Sequence, residues 1–249
     1  MKRIESAKNP QVKQWKKLLT KKEREKTGLF IIEGFHLVEE ALKSGVHIVD
    51  LILDGTKELP VNWNVDNIPT TIVTEEVMKA ISDTETPQGV AAVCKQLTYE
   101  QVDWGKVNIL MIDAVQDPGN VGTMIRTADA AGIGAVILGE GSVDAYNPKV
   151  IRATQGSLFH LPVIKGNLRE WIEKLQKHHV YGTSLENATD YKQVKPKQPF
   201  ALLVGNEGSG VNRELLQMTT ENLYIPIYGK VESLNVAVAT GILLYYLQG

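Results

Sequence analysis

Hydrophobic and polar positions along the chain follow two periods that alternate from one end to the other. In the N-terminal part, the apolar runs LFIIEG, HIVDLILD, TTIVT and GVAAVCKQ read as strands. FHLVEEALKSG and TEEVMKAIS, between them, repeat at helical spacing, and Gly45 stops the first of these helices. Ahead of them, Asn9 followed by Pro10 is a cap and first-turn pair that predicts a helix start. Val12, Trp15, Leu18 and Leu19 fall on one face of that helix, with lysines around the rest. The alternation predicts a small α/β unit ending near Lys95.

Residues 97–106 are short and polar, which puts the expected boundary there, with domains at 1–97 and 107–249. NILMIDAV, residues 108–115, is a nearly unbroken apolar strand of the kind found at the centre of a parallel sheet. Further strands are expected at 135–138, 161–164, 180–184, 201–204 and 223–227, alternating with helices. The prediction is an α/β fold whose parallel sheet is covered on both faces.

Three stretches share a strand, loop and helix design: 113–138, 201–216 and 225–249. In the first, Asn120-Val121-Gly122-Thr123 opens a helix that bears Arg126. Free amides at such a helix start suit a phosphate. In the second, Gly205 to Gly210 follows the strand ALLV and carries Glu207, but no Gly-Lys-Ser/Thr ends it, so it is not a P-loop. In the third, Ser233 is placed to cap a helix running to the C-terminus. That helix is apolar on nearly every side, which calls for cover beyond its own domain. It is shorter than the roughly 20 apolar residues needed to span a bilayer, so no membrane partner is expected.

Other chemistry-bearing residues point to less. His36, His47, His160, His178 and His179 lack metal-ligand spacing, so no metal site is expected. His178 and His179 are expected to end a helix, at its negative end. Gly132-Ile133-Gly134 precedes a strand and lacks the rest of a dinucleotide fingerprint. Ser209 lacks the context of a hydrolase nucleophile. Tyr146-Asn147-Pro148-Lys149, with Arg152, reads as a surface loop with some capacity to stack on and neutralise RNA.

In order and spacing, the three stretches resemble the three motifs of the SpoU family of RNA ribose 2′-O-methyltransferases, within the SPOUT class. The resemblance implies a C-terminal parallel-sheet domain with a trefoil knot, preceded by a small α/β RNA-binding domain. It also implies S-adenosylmethionine as cofactor. By motif position, Arg126, Asn120, Glu207, Ser233 and Asn235 take the catalytic roles. Gly205, Ile225 and Leu234 are the implied donor-binding positions, with Ser184 and Leu185 as a weaker pair, all acting mainly through backbone groups. The implied substrate is structured RNA, ribosomal RNA (23S-type) ahead of transfer RNA. A homodimer is implied too, the terminal helix lying beside the first-motif helix of the partner. Two other readings are a non-catalytic RNA-binding protein on the same fold and a methyltransferase acting on a base nitrogen. The complete set of five motif residues argues against both.

Composition sharpens the RNA reading. The 249 residues carry a formal net charge of −2, with 43% hydrophobic and 22% charged positions, enough for a substantial core. Residues 1–26 hold ten Lys and Arg against three Glu, a local charge of +7 that favours a polyanion-facing surface. Cys94, the sole cysteine, excludes an internal disulfide and any zinc site built on paired thiolates. No apolar signal segment follows Met1-Lys2-Arg3, so a cytoplasmic location is expected.

Overall fold

The computed structural model describes residues 2–99 and 102–249. Met1, Glu100 and Gln101 lie outside the described residues, the last two within the expected boundary segment. The chain divides into two compact units, residues 1–98 with 146–159, and 99–145 with 160–249.

The first unit runs β1 (Lys2–Ile4), α1 (Pro10–Lys17), α2 (Lys21–Thr27), β2 (Leu29–Glu33), α3 (Phe35–Lys43), β3 (Ile48–Asp54), β4 (Thr70–Val73), α4 (Glu75–Ile81) and β5 (Val90–Lys95). Its sheet has the order β1-β4-β3-β5-β2, with β5 antiparallel to both neighbours. Asn9 caps α1 by accepting from the Gln11 amide at 2.9 Å, and Pro10 follows as predicted. Val12, Trp15 and Leu18 go into the core against Ile52, Val77 and Met78. The lysines of α1 remain exposed. Cys94 is buried, and burial pushes its thiol up to about 12.

The second unit is built on β6 (Ile109–Ile112), α5 (Pro118–Ala130) and β7 (Ala135–Leu138). The chain then contributes α6 (Pro148–Thr154) to the first unit. It continues with β8 (Val163–Lys165), α7 (Leu168–Lys174), β9 (His179–Thr183), β10 (Thr189–Asp190), β11 (Phe200–Val204), α8 (Arg213–Leu216), β12 (Glu221–Tyr224) and α9 (Val236–Gln248). All seven strands are parallel, in the order β10-β12-β9-β11-β6-β7-β8. Every residue of β6, β7 and β11 is buried, as strands covered on both faces must be.

Several local expectations change. The central strand ends at Ile112, because the backbone turns at Ala114, which has a φ of 53°. The β12 ladder stops at Tyr224, ahead of Ile225-Pro226, where proline supplies no amide. His178 and His179 do not end a helix. α7 stops at Lys174, the His178 Nε2 lies 2.8 Å from the Val107 carbonyl, and His179 opens β9. Tyr146 to Lys149 is not a free loop: Asn147 caps α6, and Tyr146 packs on Phe30 with ring centroids 4.7 Å apart. Its hydroxyl also accepts from the Leu97 amide at 2.9 Å, and Arg152 pairs with Asp83 at 3.0 Å. The expected stacking ring and free cation are thus spent inside the first unit.

Asp50, buried like Asp54, is a carboxylate of the first unit on the wall of a cleft of about 1070 Å³ lined by residues of that unit. Gln11 Nε2 donates to it at 2.8 Å and Thr71 Oγ1 at 3.1 Å. Burial pushes its pKa up, and the two hydrogen bonds pull only partly the other way. A carboxyl with a raised folded pKa binds its proton more tightly in the native state, so stability falls as pH rises from its ordinary value of about 4 through the raised value. We predict that Asp50→Asn removes this fall and equals or exceeds the wild type in stability at pH 7. Urea denaturation across the acid range checks it; an unchanged pH profile would exclude Asp50 as the cause.

Candidate active site

The three motif stretches follow β6, β11 and β12 at the carboxyl edge of the parallel sheet, with β9 between the last two, and ligands of open α/β sheets bind at such an edge. Two loops there are stapled together. The Asp113 amide donates to the Val204 carbonyl at 2.8 Å, and the Asn212 amide to the Asp113 carboxylate at 2.8 Å. Asn206 Nδ2 donates to the Ala114 carbonyl at 3.0 Å, while its Oδ1 accepts from the Gly208 and Ser209 amides. The loop then returns on itself through paired backbone bonds between Asn206 and Gly210. Gly205 makes this return feasible, because an added Cβ would overlap the Gly210 carbonyl and the Val211 nitrogen.

Within this frame, three side chains form one line of hydrogen bonds. Asn235 Oδ1 accepts from the Ala237 amide at 2.9 Å and the Val238 amide at 3.3 Å, so Asn235 is the cap of α9. Its Nδ2 is thereby left to donate to Asn120 Oδ1, at 2.9 Å. Asn120 must then point its own Nδ2 at Glu207 Oε1, 2.6 Å away. Each amide's orientation follows from the one before it, and the line ends on an acceptor that is best when ionised.

Two helix starts differ from expectation. Asn120 does not open α5: Asp117 caps it by accepting from the Asn120 amide at 2.7 Å, and Pro118 is the first helical residue. Asp-Pro is itself a readable helix-start signal. Ser233 is not the cap of α9 either, because Asn235 stands at the right distance from the free amides and takes that place. Ser233 is exposed and makes no hydrogen bond among the described residues.

Arg126 also stands outside the line. At about 100° per residue, six steps carry it off the Asn120 face of α5. That face packs on α9: Thr240 Oγ1 lies 3.3 Å from Met124 Sδ, and Tyr245 hydroxyl donates to the Ala130 carbonyl at 3.4 Å. Arg126 is exposed, with no hydrogen bond or ion pair among the described residues. So Asn120, Glu207 and Asn235 come together within the protomer, while Arg126 and Ser233 do not join them.

Ser184-Leu185, Gly205 and Ile225 directly follow β9, β11 and β12, three neighbours in the sheet. They therefore share one edge, although long stretches of chain separate them. Leu185 is 71% exposed, and Ile225 and Leu234 are half-buried. An uncovered leucine beside backbone groups at strand ends fits the flat apolar base and polar sugar of an adenosyl group.

Three loops gathered at the carboxyl edge of a parallel sheet form the kind of site at which an α/β enzyme binds its ligand. The chain belongs to the SpoU rRNA methylase family, whose model matches residues 108–245, and an MRM3-like substrate binding domain matches residues 9–92. It is 51% identical, over the full length of both chains, to the Bacillus subtilis (strain 168) 23S rRNA (guanosine(2553)-2′-O)-methyltransferase RlmP. The AdoMet-bound rRNA methyltransferase of Sinorhizobium meliloti superposes with a TM-score of 0.88 at 33% identity, covering 99% of this chain and 97% of that one. The SpoU methyltransferase AviRb of Streptomyces viridochromogenes, in complex with AdoMet, gives 0.85 at 27% identity, with 97% of each chain covered.

Gly205→Ala should destabilise the second unit by about 3 kcal/mol, since backbone atoms and not a flexible side chain must move. Chemical denaturation measures it, and a loss below ~0.5 kcal/mol would mean that the loop yields freely.

Proposed function

We propose that this chain methylates a ribose 2′-hydroxyl of ribosomal RNA, 23S-type, using S-adenosylmethionine. The observation that carries the proposal is the Glu207–Asn120–Asn235 line, which ties the three motifs to one edge of the sheet. The full-length similarity to a 23S rRNA 2′-O-methyltransferase supports the substrate. In the proposed arrangement residues 1–97 capture RNA and residues 107–249 carry the chemistry. No helix among the described residues is long and apolar enough to cross a membrane, in keeping with a cytoplasmic enzyme. The knotted chain path implied by the resemblance belongs to the same proposal.

Bound at the strand ends, S-adenosylmethionine supplies an electrophilic sulfonium methyl; transfer to oxygen releases S-adenosylhomocysteine and a proton. Gly205, Ile225 and Leu234, with Ser184 and Leu185, hold the donor. Arg126 fixes the ribose and its phosphate. A guanidinium is a poor base, so the proton goes to water or to a phosphate oxygen. Asn120, Glu207, Ser233 and Asn235 keep the attacking oxygen in line, and positioning of that kind supplies much of an enzyme's acceleration. Arg126→Ala should lower kcat by at least about a hundredfold while donor affinity and the fold persist. Labelled-methyl transfer to unmodified 23S rRNA, with nuclease mapping of the product, tests both statements. Undiminished turnover by the folded variant would remove Arg126 from the reaction, and label on a base would redirect the proposal to another acceptor.

We further propose a homodimer formed through α9. Leu243 and Leu244 are committed to the protomer's own core, whereas Val238 is 53% exposed and Tyr245 is 58% exposed. The outward apolar residues are what a second copy would cover. Val238→Asp should shift the protein toward monomer and weaken donor binding, read by light scattering and calorimetry. A wild type that is monomeric at micromolar concentration yet binds donor normally would sink the dimer.

A further inference from the structure

The loop from Ile225 to Asn235 carries a feature that the line of hydrogen bonds does not use. Tyr228 is 86% exposed, although a tyrosine ring is largely apolar and is normally at least half covered. Its loop is not a loose tail: it leaves the sheet at Tyr224 and is held at its far end by Asn235.

The ring has a cation for a neighbour. Lys192 Nζ lies 5.9 Å from the Tyr228 ring centroid and 5.8 Å from that of Tyr191, both within cation–π reach. Lys192 is itself anchored, its amide donating to Asp190 Oδ1 at 3.0 Å and its carbonyl accepting from the Tyr246 hydroxyl at 3.2 Å. Tyr191 packs edge-on against Tyr246, with centroids 5.0 Å apart. Lys230 is exposed two residues beyond Tyr228. An exposed ring with an ammonium about 6 Å from its centroid, on a lysine whose backbone is anchored, is the arrangement that takes a stacked base and its phosphate from single-stranded nucleic acid.

We propose that Tyr228 is a stacking platform for an unpaired base of the RNA substrate, close in sequence to the third motif, with Lys192 meeting that nucleotide's phosphate. This rests on the RNA methyltransferase reading. It adds a recognition residue that an RNA lacking an accessible unpaired base could not satisfy.

The experiment uses the full chain with an unmodified 23S rRNA transcript and compares Tyr228→Ala, Tyr228→Phe and Lys192→Gln with the wild type. Tyr228→Ala should raise both KM and Kd for the transcript about tenfold, the scale of one base stacked on an aromatic ring, with kcat and donor Kd unchanged. Tyr228→Phe, which keeps the π-face, should match the wild type. Lys192→Gln should weaken binding and lower the salt slope by about one, whereas Tyr228→Ala leaves that slope alone. Equal RNA affinity in wild type and Tyr228→Ala overturns the proposal. So does a rise in donor Kd, which would make the ring part of the donor site, or a change in oligomeric state, which would make it an interface residue. If the wild type methylates nothing on the transcript, the activity reading falls, and the Kd ratio still decides stacking by the same criterion.

Discussion

The carboxamide of Asn120 sits between Glu207 and Asn235, and the geometry of the site depends on that one group. It must accept on one side and donate on the other. The direction is set from α9, where Asn235 has already committed its oxygen to two backbone amides. A carboxylate in place of Asn120 would lose the donor and set two acidic oxygens against each other. A leucine would keep the volume and lose both bonds. Asparagine is the side chain of that reach that can satisfy a donor and an acceptor at once.

Magnitudes indicate what this line does. A typical hydrogen bond contributes about 1 kcal/mol net, and partly exposed ones less, so two such bonds hold the fold only weakly. Stability comes instead from β6, β7 and β11, whose side chains are buried throughout. Those strands fix where the loops begin. The staples from Asp113 and Asn206, and the tight return at Gly205, fix how they continue. The line through Asn120 is left with orientation, holding segments far apart in sequence in one relation at the sheet's edge.

How much of this the sequence discloses depends on the range of the interaction concerned. Period and turn chemistry are local, so most strands, α1 with its Asn9 cap, and the parallel central sheet are readable, whereas β1 and β10, of three and two residues, are too short to show a period. Strand ends were less so, because Ala114 and Pro226 stop pairing through backbone geometry that an apolar run conceals. Two nearby polar residues compete for each cap, and spacing selected Asp117 over Asn120 and Asn235 over Ser233. Tyr146 and Arg152 looked free because their partners, Phe30, Leu97 and Asp83, lie far away along the chain. The contacts among Asn120, Glu207 and Asn235 span 87 and 115 positions. Motif resemblance named these residues; no local pattern could have shown them touching. Asn206, the staple between loops, carried no signal of its own.

The same distinction between local and summed properties bears on how a chain of net charge −2 meets a polyanion. At physiological ionic strength, charges more than about 8 Å apart are largely screened, so RNA responds to patches and not to the total. Residues 1–26 supply such a patch, because α1 turns Val12 and Trp15 inward and leaves its lysines exposed, although Arg24 is buried with its guanidinium on the Leu18 carbonyl. That attraction is indifferent to sequence, since phosphates are the same along the strand. Selectivity has to come from groups that meet bases, and these need fixed positions more than they need charge. The second unit offers such positions at the edge where its three motifs converge. In the proposed arrangement, affinity from the first unit and selectivity from the second rest on different physical terms, and salt weakens the first more than the second.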